Sequence, residues 1–189
     1  KIRCISYQPN QGKGGALREG TAHATGDYIA FCDADLDLAP EQLADFIDRM
    51  QRENADVVIG SKMHPESKVD YPAVRRVYSW GYYILLLLLF RLNVRDTQTG
   101  LKLFKAEVIK PVMRQILVKR FAFDIEVLAI INARGYKIIS APIEVVFHRV
   151  SFGRIGFSDI RNMFIDTLAI FYRLHILHYY DKADTLERS

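Results

Sequence analysis

Three carboxylates, Asp33, Asp35 and Asp37, directly follow the apolar run Tyr28-Ile-Ala-Phe-Cys. Side chains two residues apart on an extended chain point to the same side. Hard oxygen donors so placed suit Mg²⁺ or Mn²⁺, with phosphate oxygens completing the shell. Ions cannot enter a core unpaired without a penalty of several kcal/mol each. The run therefore reads as a buried strand with an exposed C-terminal tip, at the edge where open α/β sheets bind ligands. A second reading of the same residues stays open. Acidic residues after a strand also cap helices, and Pro40 at a first helical turn fits that. An EF-hand is excluded, because Leu38 stands where its loop requires Gly and Ala44 where it requires Glu.

A glycine-rich loop, Asn10-Gln-Gly-Lys-Gly-Gly-Ala, supplies the second candidate chemistry. Gly12, Gly14 and Gly15 would let backbone amides approach an anion, and Lys13 adds a positive charge. A tight strand-to-helix turn explains the same glycines. The loop is neither a Walker A motif, since Gly follows the lysine, nor a dinucleotide fingerprint, since Leu17 replaces the third Gly. Further along, Arg95-Asp-Thr-Gln-Thr-Gly is dense in hydrogen-bonding side chains, though a turn accounts for it. His148 reads as a hydrogen-bonding residue at the rim.

The elements expected to position these groups alternate. A strand at residues 1–6 precedes a helix from the glycine loop to about Thr25. The strand ending at Asp33 follows, then an amphipathic helix from Pro40 to Arg52 with Leu43, Phe46, Ile47 and Met50 on one face. Asp56–Ser61 reads as a buried strand, so the first sixty residues predict a parallel α/β sheet. Residues 63–71 are expected to be loop. The fourteen apolar residues Val77–Phe90 are fewer than the ~20 needed to cross a bilayer; flanked by Arg75, Arg76 and Arg91, they form either a core helix or a membrane-surface one. A short strand follows Gly100. A helix from Arg120 ends at Gly135, with Asp124 and Glu126 favouring its positive end. Residues 136–147 read as strand, and Ser158 caps a last helix to about Tyr180. Its tyrosines, with Arg173, His175 and His178, resemble an interfacial belt, and core or dimer packing is the competing reading.

The 189 residues and 50% hydrophobic content bound one domain with a sizeable core. Net charge is +4, yet residues 1–60 carry 6 basic and 10 acidic groups and residues 61–189 carry 20 and 12. That split predicts a metal site in the first part and anion or anionic-membrane contacts in the second. The basic residues form no run and no nucleic-acid motif is present, so nucleic acid is not an expected partner. Cys4 and Cys32 read as reduced core thiols, and the opening residues as a strand rather than a leader.

Together, the glycine loop, Gly26-Asp-Tyr-Ile-Ala-Phe-Cys-Asp-Ala-Asp and Gly60-Ser resemble family 2 glycosyltransferases of the GT-A fold. Arg95-Asp-Thr-Gln-Thr-Gly-Leu-Lys-Leu-Phe followed by Arg120-Phe-Ala-Phe-Asp-Ile-Glu is similar to the polyprenyl-phosphate hexosyltransferases, above all the dolichyl-phosphate glucosyltransferases and then the dolichol-phosphate mannose synthases. The resemblance covers nearly the whole chain and implies a mostly parallel central sheet flanked by helices, with amphipathic membrane-surface helices. It implies a catalytic domain over residues 1–150, an interface helix at 74–91, and a C-terminal interface helix and polar tail at 151–189. Such enzymes open with a further strand and helix that hold the nucleotide base, so the domain is expected to be N-terminally incomplete, a fragment or a truncated form.

By the same resemblance, Asp33 and Asp35, with Asp37 as a weaker third, would hold Mg²⁺ or Mn²⁺ on the diphosphate of a nucleotide sugar (UDP-glucose or GDP-mannose). Lys13 and Gly14 would lie near the nucleotide. Asp96 matches the catalytic-base position, with Gln98 beside it. Arg75, Arg76, Ser79 and Arg149 match positions holding the phosphate of a polyprenyl or dolichyl acceptor. The implied activity is inverting hexosyl transfer by a peripheral protein on the cytoplasmic face of a membrane. Two rivals stay open: a transferase with a hydroxyl acceptor, and a non-catalytic membrane-binding remnant.

Overall fold

A computed structural model describes residues 3–35, 37–67, 73–118, 122–145 and 157–181, with side chains except at 73–79 and 157–160. Helix α1 (Gly12–His23) leads into strand β1 (Tyr28–Phe31). A 3₁₀ turn (Pro40–Gln42) runs directly into α2 (Leu43–Arg52), followed by β2 (Val57–Ser61) and α3 (Ala73–Phe90). Strand β3 (Lys102–Lys105) passes into α4 (Ala106–Gln115), then come α5 (Phe123–Ala133), β4 (Ile138–Pro142) and α6 (Phe157–Phe171), which continues as a π-helical segment (Tyr172–Ile176).

The sheet order is β1-β3-β2-β4. Strand β3 runs antiparallel between β1 and β2, with Lys102 opposite both Phe31 and Ile59, while β2 and β4 pair in parallel. The expected mostly parallel sheet is thus mixed: β1, β2 and β4 share a direction and β3 opposes them. Of the expected first strand, residues 3–6 join no ladder among the described residues.

Two apolar layers follow from the period of two along each strand. Val57, Ile59 and Phe104 face one cluster with Ile29, Phe31 and residues of α3 to α6. Val58 and Leu103 face the other, with Phe46 and Met50 of α2. Helix α5 is buried from Phe123 to Ile131, and it stops just before Gly135 at φ +79°. Asp124 and Glu126 lie in its first turn as expected, and they are buried with specific partners.

Helix α3 answers the open core-or-surface question by dividing its faces. Leu86 and Phe90 are buried, whereas Leu88 is 75% and Trp80 58% exposed. Tyr82 Oη shares a 3.0 Å hydrogen bond with Thr167 Oγ1 of α6, and Asn132 Nδ2 of α5 donates to the Phe90 carbonyl at 3.0 Å. No helix among the described residues is long and apolar enough to cross a membrane. Two smaller expectations are corrected. Cys4 and Cys32 are free but exposed, not core thiols, since Cys32 lies beyond the end of β1 and Cys4 in the segment without a strand partner. Helix α6 begins at Phe157, so Ser158 falls inside its first turn and does not precede it.

Candidate functional site

Strand direction brings the chemistry to one sheet edge. Because Lys102 opens β3 opposite Phe31 and Ile59, the segment before it, residues 95–101, lies with the C-terminal tips of β1 and β2. Asp33 and Asp35 leave β1 at this edge, and Lys62 leaves β2 there.

Lys13, in the first turn of α1, donates from Nζ to Asp33 Oδ1 at 2.9 Å. Helix α1 comes this close because Gly14 has no side chain: a Cβ there would stand 2.8 Å from the Phe123 ring and 2.9 Å from the Val118 carbonyl oxygen. Burial disfavours the Lys13 ammonium, yet the Asp33 hydrogen bond and the charges of Asp124, Asp33 and Asp35 outweigh it and raise its pKa. Lys13 is thus a cation paired with the Asp33 carboxylate.

Gly100 makes the second close approach. A Cβ at this position would fall 2.1 Å from Asp33 Oδ2, so the Asp33 carboxylate lies directly against bare backbone. Asp35 Oδ1 accepts the Asp37 amide at 3.2 Å, closing a short turn. Asp96 Oδ2 accepts the Lys62 amide at 2.9 Å, and Gln98 Nε2 lies 3.0 Å from Met163 Sδ of α6. Beneath them Lys102, 2% exposed, reaches Asp124 Oδ1 at 2.7 Å and the Thr99 carbonyl at 2.6 Å. Glu126, fully buried, accepts the Leu117 amide at 3.0 Å, the Val118 amide at 2.7 Å and the Tyr180 hydroxyl.

Of the residues singled out in the sequence, Lys13, Gly14, Asp33, Asp35, Asp96 and Gln98 come to this edge. Asp37 does not complete a three-carboxylate cage with Asp33 and Asp35, because among the described residues no three Asp, Glu, His or Cys side chains are placed to hold a metal. Asp33 and Asp35 are hard oxygen donors of the kind a Mg²⁺-like ion takes, and Asp33 Oδ1 is paired with Lys13 at 2.9 Å. Arg75, Arg76 and Ser79 belong to the first turns of α3, but their side chains lie outside those described. Arg149 and His148 lie outside the described residues.

Lys102, Asp124 and Gly100 escaped the sequence reading as site residues. One signal was there: Lys102 shares the sheet face of Phe104, an apolar face on which a cation needs a buried partner.

A family model described as Glycosyl transferase family 2 matches residues 1–113. The chain belongs to this family. Among its relatives, a dolichyl-phosphate beta-glucosyltransferase of Trichomonas vaginalis is 32% identical over 186 residues, covering 93% of this chain and 55% of that protein. One of Saccharomyces cerevisiae is 30% identical over 158 residues, covering 76% of this chain and 47% of that protein. This family 2 chain thus spans about half the length of those relatives. Its fold is GT-A-like. Glucosyl-3-phosphoglycerate synthase from Mycobacterium tuberculosis, solved with Mn²⁺, UDP and phosphoglyceric acid, superimposes with a TM-score of 0.64 at 20% identity over 89% of this chain and 55% of that one.

Proposed function

We propose that this chain carries the catalytic domain, residues 1–150, and the C-terminal interface helix and polar tail, within 151–189, of an inverting glycosyltransferase moving glucose from UDP-glucose to dolichyl phosphate. The observation that carries the reading is the junction of Lys13, Asp33 and Gly100 at the sheet edge, with the 95–100 segment packed on the acidic tip. The dolichyl-phosphate glucosyltransferase relatives support the lipid phosphate, and a UDP-glucose complex of the synthase supports the donor.

The bond broken joins the sugar anomeric carbon to the diphosphate, and the bond formed joins that carbon to a phosphate oxygen of the acceptor. Asp33 and Asp35 would hold a Mg²⁺ or Mn²⁺ ion, which when bound neutralises the departing diphosphate. Lys13 offers a second positive charge to the same group, and its raised pKa keeps it protonated at neutral pH. An acceptor phosphate with a second pKa near ~6 is already ionised. Asp96 therefore orients the acceptor more than it deprotonates it, and its carboxylate is held for that by the Lys62 amide. Arg75, Arg76, Ser79 and Arg149 would receive the acceptor phosphate, for which guanidinium forks are suited. Trp80, Leu87 and Leu88 on α3, with Phe164, Ile165 and Leu168 on α6, are exposed apolar side chains. They support a peripheral seat on the anionic cytoplasmic face of a membrane.

The test uses the full-length protein with labelled UDP-glucose and dolichyl phosphate, the product being read in the organic phase. Wild type is expected to transfer label, and Asp35→Ala and Asp96→Asn are each expected to abolish it. Label appearing only on a hydroxyl acceptor, with a bell-shaped pH profile, would overturn the lipid-phosphate reading.

A further inference from the structure

The Lys102–Asp124 ion pair does work that stability alone does not require. Its two side chains are 3% and 10% exposed and 2.7 Å apart. Buried ion pairs add little net stability, and apolar pairs of similar volume often serve as well or better. A pair kept in such a place is better explained by the groups that it holds.

Those groups converge on the donor side of the site. Lys102 Nζ donates to the Thr99 carbonyl at 2.6 Å, fixing the backbone one residue before Gly100. Gly100 is the surface on which the Asp33 carboxylate rests. At the other end of the pair, Asp124 follows Phe123, the ring packed on Gly14 beside Lys13. The pair therefore lies against both halves of the Lys13–Asp33 contact, on one side through the Thr99–Gly100 backbone and on the other through Phe123 packed on Gly14.

We propose that Lys102 and Asp124 are positioning residues for a nucleoside diphosphate sugar, setting the spacing of Lys13 and Asp33 without touching the ligand. The inference rests on the glycosyltransferase reading above and extends it to residues under the site. Removing groups that orient ligand-holding side chains typically weakens binding by about 10–100-fold.

The experiment uses the full-length protein, UDP with Mn²⁺ as the calorimetric probe, and two paired variants. Lys102→Met with Asp124→Leu replaces the ions by apolar groups. Lys102→Gln with Asp124→Asn keeps polar partners and removes the charges. Each is expected to unfold near the wild-type temperature, to bind UDP–Mn²⁺ about 10–100-fold more weakly, and to raise KM for UDP-glucose while leaving KM for dolichyl phosphate in place. Lys102→Arg, which keeps the charge, is expected to retain most of the affinity. Folded variants with wild-type UDP affinity, or with both KM values moved together, overturn the proposal. So does loss of folding in both pairs, which would make the ion pair a stability element. If wild type itself binds no UDP–Mn²⁺, the glycosyltransferase reading falls first. If wild type binds and the variants match it, this inference alone falls.

Discussion

Gly100→Ala isolates the contact on which the site depends. The added methyl would stand 2.1 Å from Asp33 Oδ2, 2.5 Å from its Cγ and 2.9 Å from its Cβ, where ordinary contact begins at 3.4 Å. The oxygen must retreat by about 1.3 Å, the difference between 3.4 and 2.1 Å. Because even Cβ is crowded, the whole carboxylate swings instead of only its tip. The 2.9 Å contact with Lys13 cannot survive a swing of that size unchanged. Gly100 has no left-handed backbone angle, and the displaced group ends an exposed side chain, so the cost in folding should stay within about 1 kcal/mol. A misplacement of about 1 Å at a site that works by orientation costs on the order of 10²-fold in rate. Thermal unfolding, UDP–Mn²⁺ titration and lipid-linked product formation on one preparation separate these effects. A variant melting like wild type with about 1% of its rate is the expected result. Full rate and unchanged affinity would refute the idea that Asp33 must lie against residue 100.

Three further outcomes are accessible. Tyr180→Phe removes one hydrogen bond to the buried Glu126 carboxylate; a bond to a charged group is worth about 1.5–3 kcal/mol, which at this chain length lowers the unfolding midpoint by about 3–12 °C, and an unchanged midpoint would show the bond to be idle. Burial opposes ionisation of Asp56, but the Lys105 hydrogen bond at 2.7 Å and the Lys137 amide more than offset it and lower its pKa. Its stabilisation is then present above the unfolded value of about 3.9 and fades as pH falls through the lower folded value, so wild-type and Asp56→Asn melting curves should converge below about pH 4. Binding to anionic liposomes should weaken as salt rises from about 0.05 to 0.5 M, and sedimentation indifferent to salt would remove the electrostatic part of the membrane reading.

How far the sequence revealed all this depended on the range of the interactions. The acidic tip was legible because three aspartates after a short apolar run admit few placements. Helix α2 was legible from the spacing of Phe46 and Met50, and α5 from its apolar length and Gly135. Helix α4 escaped notice because Pro111 interrupts a pattern whose buried residues, Val108, Ile109, Val112 and Met113, still recur at helical spacing. The reversed strand was not legible, since nothing in Lys102–Lys105 states its direction. The burial of Lys102 was not legible because Asp124, the group that makes it tolerable, lies 22 residues away. The two faces of α3 could not be told apart in a run of five leucines until α5 and α6 covered one of them.

The placement of β3 also bears on how the chain leaves the ribosome. Strands β1 and β2 emerge before β3 but are not neighbours; each waits for Lys102–Lys105 to come between them. At about 5–20 residues per second, the roughly 70 residues between Phe31 and Lys102 take on the order of 4–14 s, with no ladder among the described strands able to close. During that interval Tyr28–Phe31 and Val57–Ser61 are apolar segments with unsatisfied edges, a condition that invites chaperone capture. Stalled nascent chains ending before Lys102 should be protease-sensitive throughout, with protection of both segments appearing only once Lys105 clears the exit tunnel.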